Sequence, residues 1–475
     1  MNYLRANKMI IALCALAVLL GAAVFYFVSS KSTAVVSAQY QGVWEQTGYG
    51  NLYSVTEQGA KLYQYTRQSC VQADTFTKAE VTEFMAEAVL SEDESTLSFI
   101  PEQRPLLATK VTKLDALPAV CQSDKLITAS NPVTNFDHLW HTFNDYYAFF
   151  DERGIDWNKQ YAVIRPSVTD ELTDDELIEV IRKLLSPLND GHIQLITDND
   201  RFEFADKSGI EKYVRDSFAD QTRFDDIEEY GDSLGDQMGS IISSYFVSET
   251  LRSAGGSSGE RVRWALNSNN VGYLYISGME GIASGDSNEP DDNVKAINSI
   301  LKDAMADLNN TDALIVDVRF NGGGFDEVSL AIASHFTDQS ALAFSKVTRS
   351  FAGETNPIEA FFTPATDQPY LNPVAILTSE ITASAAEVFL TAMSALPKVT
   401  LVGEKTAGIL ADQLERILPN NWIVAVPNVV FMNDKGISYE VTGVSPDVEV
   451  KTNLPELLDK KKDPVIEAAL STLGY

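Results

Sequence analysis

The chain is poor in the side chains that hold metals and attract nucleic acid. Only 3 cysteines and 4 histidines occur in 475 residues, and 36 Lys+Arg face 67 Asp+Glu, a formal charge of −31. The histidines (His138, His141, His192, His335) stand in no HExxH or CxxC company, so the pattern supports no metal and no other cofactor. Such an acidic surface repels polyphosphate, which argues against nucleic acid as a partner. No G-x-x-x-x-G-K-[ST] loop, no internal repeat and no low-complexity tract is present. Apolar residues are not scarce: they make up 45% of the chain, with 22% charged, as in ordinary folded domains.

One apolar run is long. Met9–Val28 carries no charge and follows Arg5 and Lys8. As a helix it would span about 30 Å, the thickness of a hydrocarbon core. Positive charge ahead of it places the remainder outside the cytoplasm. The length favours an uncleaved anchor, making membrane contact through residues 9–28. The small residues Val36-Ser37-Ala38 offer a competing cleavage point that would release the protein. Either outcome means export, to a periplasmic or other extracytoplasmic space. In an oxidising compartment Cys70 and Cys121 favour a disulfide over two free buried thiols.

Five stretches follow. Residues 1–38 are the anchor or signal with its linker. Residues 39–125 alternate apolar and polar around Gly48, Gly50 and Gly59, which reads as a small, mostly β accessory domain. Residues 126–200 turn helical: Phe136, Leu139, Trp140, Phe143 and Tyr147 share one helix face. Thr173 opens a second helix, and Asn189-Asp190-Gly191-His192 leads into the strand-like IQLI. Residues 201–260 are an acidic insert or lid. Residues 261–475 alternate strands and helices in an α/β manner, ending in an amphipathic helix. The strands there are VGYLYI, the buried ALIVDV and PVAILT, then VTLVG, WIVAVPNVVF and VEV. No PDZ domain is expected, because no carboxylate-binding loop is visible.

Two strand-to-helix junctions carry chemistry. Ser384-Ala-Ala-Glu387 follows PVAILT and has the S-x-x-E spacing of a capping box, which by itself explains a serine before a helix. The same position suits a nucleophile, because amides at a helix start can hold an oxyanion. Asn321-Gly322-Gly323-Gly324 follows ALIVDV. It reads either as a tight turn or as bare backbone that can approach a substrate and donate N–H.

The ordered set DGH (190–192), VGYLYI (271–276), LIVDVRFNGGG (314–324), TASAAE (382–387), GEKTAG (403–408) and YEVTGVSPD (439–447) resembles the S41 peptidase family of tail-specific and C-terminal processing proteases. With GIDWNKQY (154–161), it looks closest to the tricorn-like and retinoid-binding-protein-like branch. The resemblance spans roughly 131–470. It implies a crotonase-like (ClpP/crotonase type) α/β core and a serine-type peptidase acting on peptide or protein substrates. Ser384 would be nucleophile, with Gly323 and Ala385 supplying oxyanion-hole amides. Ile409 stands where the tail-specific branch has its lysine base, so a Ser/Lys dyad is disfavoured. His192 then matches the histidine base of the tricorn-like branch and Glu440 its glutamate. Gly191 stands where that branch has a further serine. A catalytically silent relative that binds an apolar ligand or an envelope partner is the alternative.

Overall fold

The computed structural model describes residues 36–475 except 87, 100–108, 207–208, 258–259, 286–287 and 367. The apolar run 9–28 therefore lies outside the described residues. Among those described, no helix is long and apolar enough to cross a membrane. The chain forms two compact units and passes between them several times. One comprises residues up to Asp206 with Lys346–Ile358 and Ala411–Val430; the other comprises Lys207–Ser345, Glu359–Leu410 and Phe431–Tyr475.

In the first unit, four strands (Gly42–Gln46, Asn51–Thr56, Gly59–Tyr65, Cys70–Thr77) form a meander whose first strand pairs with Thr109–Leu114. Two short strands, Ala88–Leu90 and Thr96–Phe99, complete a seven-stranded antiparallel sheet. Alternation along Gly42–Gln46 buries Trp44, which packs with Leu62, Leu97 and Val111. Cys70 and Cys121 are joined, with Cα atoms 5.2 Å apart.

The helices Pro132–Tyr146, Trp157–Ile164 and Asp174–Leu185 belong to the same unit. Asn131, Asp156 and Thr173 cap them, Thr173 in a reciprocal box with Glu176. The third helix runs into Asn189, whose left-handed backbone turns the chain into the strand Asp190–Ile196. This strand lies in a four-stranded antiparallel sheet ordered Gln413–Ile417, Ile423–Pro427, Asp190–Ile196, Arg201–Phe204. The stretch WIVAVPNVVF, read as one strand of the α/β core, is thus divided at Asn428. Its first half pairs with the strand carrying His192.

In the second unit, seven strands run in the order Arg252–Ala254, Val262–Leu266, Val271–Ile276, Ala313–Asp317, Val374–Thr378, Val399–Gly403, Val448–Glu449. The last five are parallel. Ala313–Asp317 and Val374–Thr378 are buried at every position. Strands covered on both faces read as unbroken apolar runs, which is why ALIVD and VAILT stand out in the sequence. The sheet begins at Arg252, inside the stretch read as insert. The remainder of that stretch carries the helices Gly209–Asp220 and Ile227–Ser243.

The C-terminal helix Pro464–Thr472 packs Val465, Ile466 and Ala469 on Ile315, Ala375 and Leu377. Its N-cap Asp463 forms a buried ion pair with Arg319 at 2.8 Å, and Arg319 also pairs with Asp317 at 2.7 Å. All three side chains are fully buried, and the one guanidinium is the ion-pair partner of both carboxylates.

Candidate active site

Strands Ala313–Asp317 and Val374–Thr378 are parallel neighbours, so the loops that leave their C-terminal ends meet. Two side chains and one backbone amide of the second loop tie it to the first. Ser379 Oγ donates to the Arg319 carbonyl, Thr382 Oγ1 to the Val318 carbonyl at 3.0 Å, and Ala383 N–H to the Asn321 carbonyl at 3.1 Å. Ser384 is left half-buried immediately before the helix Ala385–Met393.

Its backbone is held at φ 55°, ψ −127°. A residue with a Cβ enters that region only when its surroundings force it, at about 1–3 kcal/mol. Capping does not require this, since an N-cap normally sits in the β region. Glu387 does accept from Ser384 N–H at 3.2 Å, while its own amide donates to the Ser384 carbonyl at 2.8 Å. The Ala385 amide is first in the helix, one of the four that no helical carbonyl can satisfy.

Gly323 lies against this corner with φ +106°. A Cβ on it would sit 2.6 Å from Ser384 Cβ and 3.0 Å from Ala385 N. Only glycine allows that approach. Its carbonyl accepts from Met279 N–H at 2.7 Å, and its amide donates to Asn321 Oδ1 at 2.9 Å. Asn321 is fully buried and also donates from Nδ2 to the Ile276 carbonyl at 3.1 Å. The structure thus brings Ser384, Ala385 and Gly323 together. It also gives the Gly323 amide an internal partner that sequence reading did not foresee.

The loop after Val399–Gly403 is gathered by one buried side chain. Glu387 accepts from Thr406 Oγ1 at 2.5 Å, Gly408 N–H at 2.8 Å and Ile409 N–H at 3.0 Å, besides Ser384 N–H. Burial pushes its carboxyl up to about 7, and those hydrogen bonds pull the other way. Ile409, at the dyad lysine's place, contributes only its amide here. Lys405 is exposed.

Glu440 is buried and accepts from Leu410 N–H at 2.7 Å. It precedes Val441, a β-branched residue at φ 66° whose amide donates to the Gly408 carbonyl at 2.8 Å. Gly408 allows the close packing, since a Cβ there would meet Gly443 N at 2.7 Å.

His192 is placed within the other unit. Asp190 is fully buried, held by Tyr147 Oη at 2.8 Å and Arg153 at 3.2 Å, and accepts from His192 N–H at 3.0 Å. The ring's Nδ1 is 2.5 Å from the Ala411 carbonyl. A carbonyl can only accept, so the proton sits on Nδ1 and the Nε2 lone pair is left as the basic site. Burial lowers the imidazole's pKa below its ordinary value, opposed by Asp190 and the Ala411 carbonyl.

Residues 270–450 match the model of peptidase family S41, and residues 131–186 match that of the tricorn protease C1 domain. The resemblance to the S41 peptidases read from the sequence is borne out over these residues. Over 202 residues it is 27% identical to the tricorn protease of Thermoplasma volcanium, covering 42% of this chain and 17% of that protein. It therefore spans about a sixth of the length of the tricorn proteases it matches. It is 23% identical over 340 residues to the carboxy-terminal processing protease CtpA of Bacillus subtilis, covering 66% and 71% of the two chains. A crystal structure from Parabacteroides merdae, of a protein whose name assigns it to the peptidases, superposes with TM-score 0.58 at 25% identity. It covers 73% of this chain and 98% of that one. The crotonase-like α/β fold expected from the sequence is likewise borne out.

Proposed function

We propose that the protein is an exported serine endopeptidase that hydrolyses peptide bonds through an acyl-enzyme on Ser384. His192 Nε2 takes the hydroxyl proton as Oγ attacks the scissile carbonyl, and returns it to the leaving amine. A water then repeats the sequence in reverse and releases the second product. The Ala385 and Gly323 amides receive the oxyanion. On this reading the oxygen competes with Asn321 Oδ1 for the Gly323 proton, so that donor is engaged only as negative charge develops. Glu440 is the carboxylate that steadies the imidazolium.

The observation that carries the reading is the forced backbone of Ser384 beside Gly323, at the start of a buried helix. Strain of this kind is kept where it serves a function. The His192 tautomer supports the base assignment, and the Cys70–Cys121 disulfide supports export. The membrane anchor at 9–28 rests on the sequence alone.

The test is labelling with a fluorophosphonate probe, which reacts only with an activated serine, together with digestion of a peptide library. Wild-type protein should label on Ser384 and cleave. Ser384→Ala should do neither, and unchanged turnover in that variant would sink the assignment.

A further inference from the structure

The S-x-x-E spacing at 384–387 explains one of the four hydrogen bonds that Glu387 accepts. The other three reach 19 to 22 residues ahead, to Thr406, Gly408 and Ile409. Every partner is a donor. The two amides cannot reverse, and Thr406 Oγ1 is itself occupied as an acceptor by Val444 N–H at 2.7 Å. We propose that Glu387, as a carboxylate, is the positioning residue of this site: it locks the 406–409 loop to the first turn of the nucleophile's helix and so fixes Ser384 and the Ala385 amide. The proposal rests on the reading of Ser384 as nucleophile.

A protonated Glu387 would turn an O–H toward groups that can only donate, and at least one of the four bonds would be lost. A positioning error of about 1 Å can cost on the order of 10²-fold in rate. Burial already lifts this carboxyl to about 7, so the change falls near neutral pH. The neighbouring ionisable groups are engaged or turned outward. Glu404 accepts from Thr452 N–H at 2.9 Å, Glu440 accepts from Leu410 N–H, and Lys405 is exposed.

The experiment measures the second-order rate of fluorophosphonate labelling from pH 5 to 9 on the full chain. It compares wild type, Glu387→Gln, Thr406→Val and Thr406→Ser, with folding checked by circular dichroism. Glu387→Gln should label at least about 10-fold more slowly at pH 8 and lose the rise near pH 7. Thr406→Val removes a bond that lowers the carboxyl's pKa, so its rise should move to higher pH; Thr406→Ser should restore the wild-type position. A merely structural residue would lower the rate without moving the profile. The proposal is overturned if Glu387→Gln keeps the wild-type rate and profile, or if Thr406→Val leaves the rise in place. The second comparison decides the matter if the glutamine variant does not fold. Wild-type labelling at a residue other than Ser384 would overturn the nucleophile reading and this one with it. Labelled Ser384 with an unaffected glutamine variant overturns only the role of Glu387.

Discussion

Replacing Gly323 by alanine tests the geometry of the nucleophile corner with a single methyl group. The added Cβ would lie 2.6 Å from Ser384 Cβ, 2.9 Å from the Ala383 carbonyl oxygen and 3.0 Å from Ala385 N. Carbon atoms pack at about 3.5–4.0 Å, so the shortfall against Ser384 is roughly 1 Å. None of the three atoms belongs to a flexible side-chain end that could swing aside. The φ of +106° adds strain of about 1–3 kcal/mol for any residue with a Cβ. The loop or the serine must therefore shift, and a shift of that size costs about 10²-fold in rate. Loss of an oxyanion donor alone costs about 10²–10³-fold. The variant should lose at least about 10² in kcat, near 2.7 kcal/mol of barrier, with KM changed far less. Gly322→Ala is the comparison, because a Cβ there meets nothing within 4 Å and φ is ordinary. Peptide hydrolysis and thermal melts on both variants read the difference. Gly323→Ala within threefold of Gly322→Ala in kcat would refute the packing argument.

Ser384→Gly should melt at a higher temperature than Ser384→Ala while both are inactive, because only glycine is at ease at φ 55°, ψ −127°. Cys70→Ser should be destabilised by about 4 kcal/mol on chain-entropy grounds for a separation of 51 residues, and unreduced peptide mapping should find the two cysteines linked. Arg319→Met leaves Asp317 and Asp463 buried without their cation. It should cost about 3–5 kcal/mol in urea unfolding; an unchanged midpoint would contradict the ion-pair account.

The parallel core was legible because doubly covered strands leave no polar face: ALIVD and VAILT announce themselves. Thr173 was legible as a helix start, since every partner of such a cap lies within four residues, as its box with Glu176 does. Ser384 has the same local signature, and there it under-reports. Nothing in S-x-x-E reveals a positive φ, which is imposed by Gly323 and by ties to Val318, Arg319 and Asn321. The wider role of Glu387 was hidden for a related reason, because its further partners lie on a different loop. WIVAVPNVVF misled because an apolar run marks a strand and says nothing about which sheet it joins. The candidate side chains came from ordered motifs and the resemblance they carry. Motifs do not reveal the turns around them, such as the Asp190 bond to His192 N–H or the Asn321 bond to Gly323 N–H.

Burial acts in opposite directions on two of the ionisable groups proposed for the site, His192 and Glu387, and this sets the sign of their pH dependence. Desolvation favours neutral forms, so His192 moves down from its ordinary 6.5 and Glu387 moves up to about 7. The base is ready at a lower pH than the carboxylate that positions the nucleophile. As pH rises, the rate should therefore be limited last by Glu387, with its rise near 7. A histidine alone would put that rise lower. Stability runs against activity over the same interval. The folded state holds the Glu387 proton up to about pH 7, whereas the unfolded chain releases it near 4.5, so this group lowers stability as pH climbs between those values. The magnitude is about 3 kcal/mol. His192 works the other way, its folded form resisting the proton that the unfolded chain takes up below about 6.5. Urea unfolding of wild type and Glu387→Gln at pH 5 and pH 8 separates the terms. The glutamine variant should lose the part of the decline that Glu387 causes, and an equal decline in both proteins would remove this carboxyl from the account.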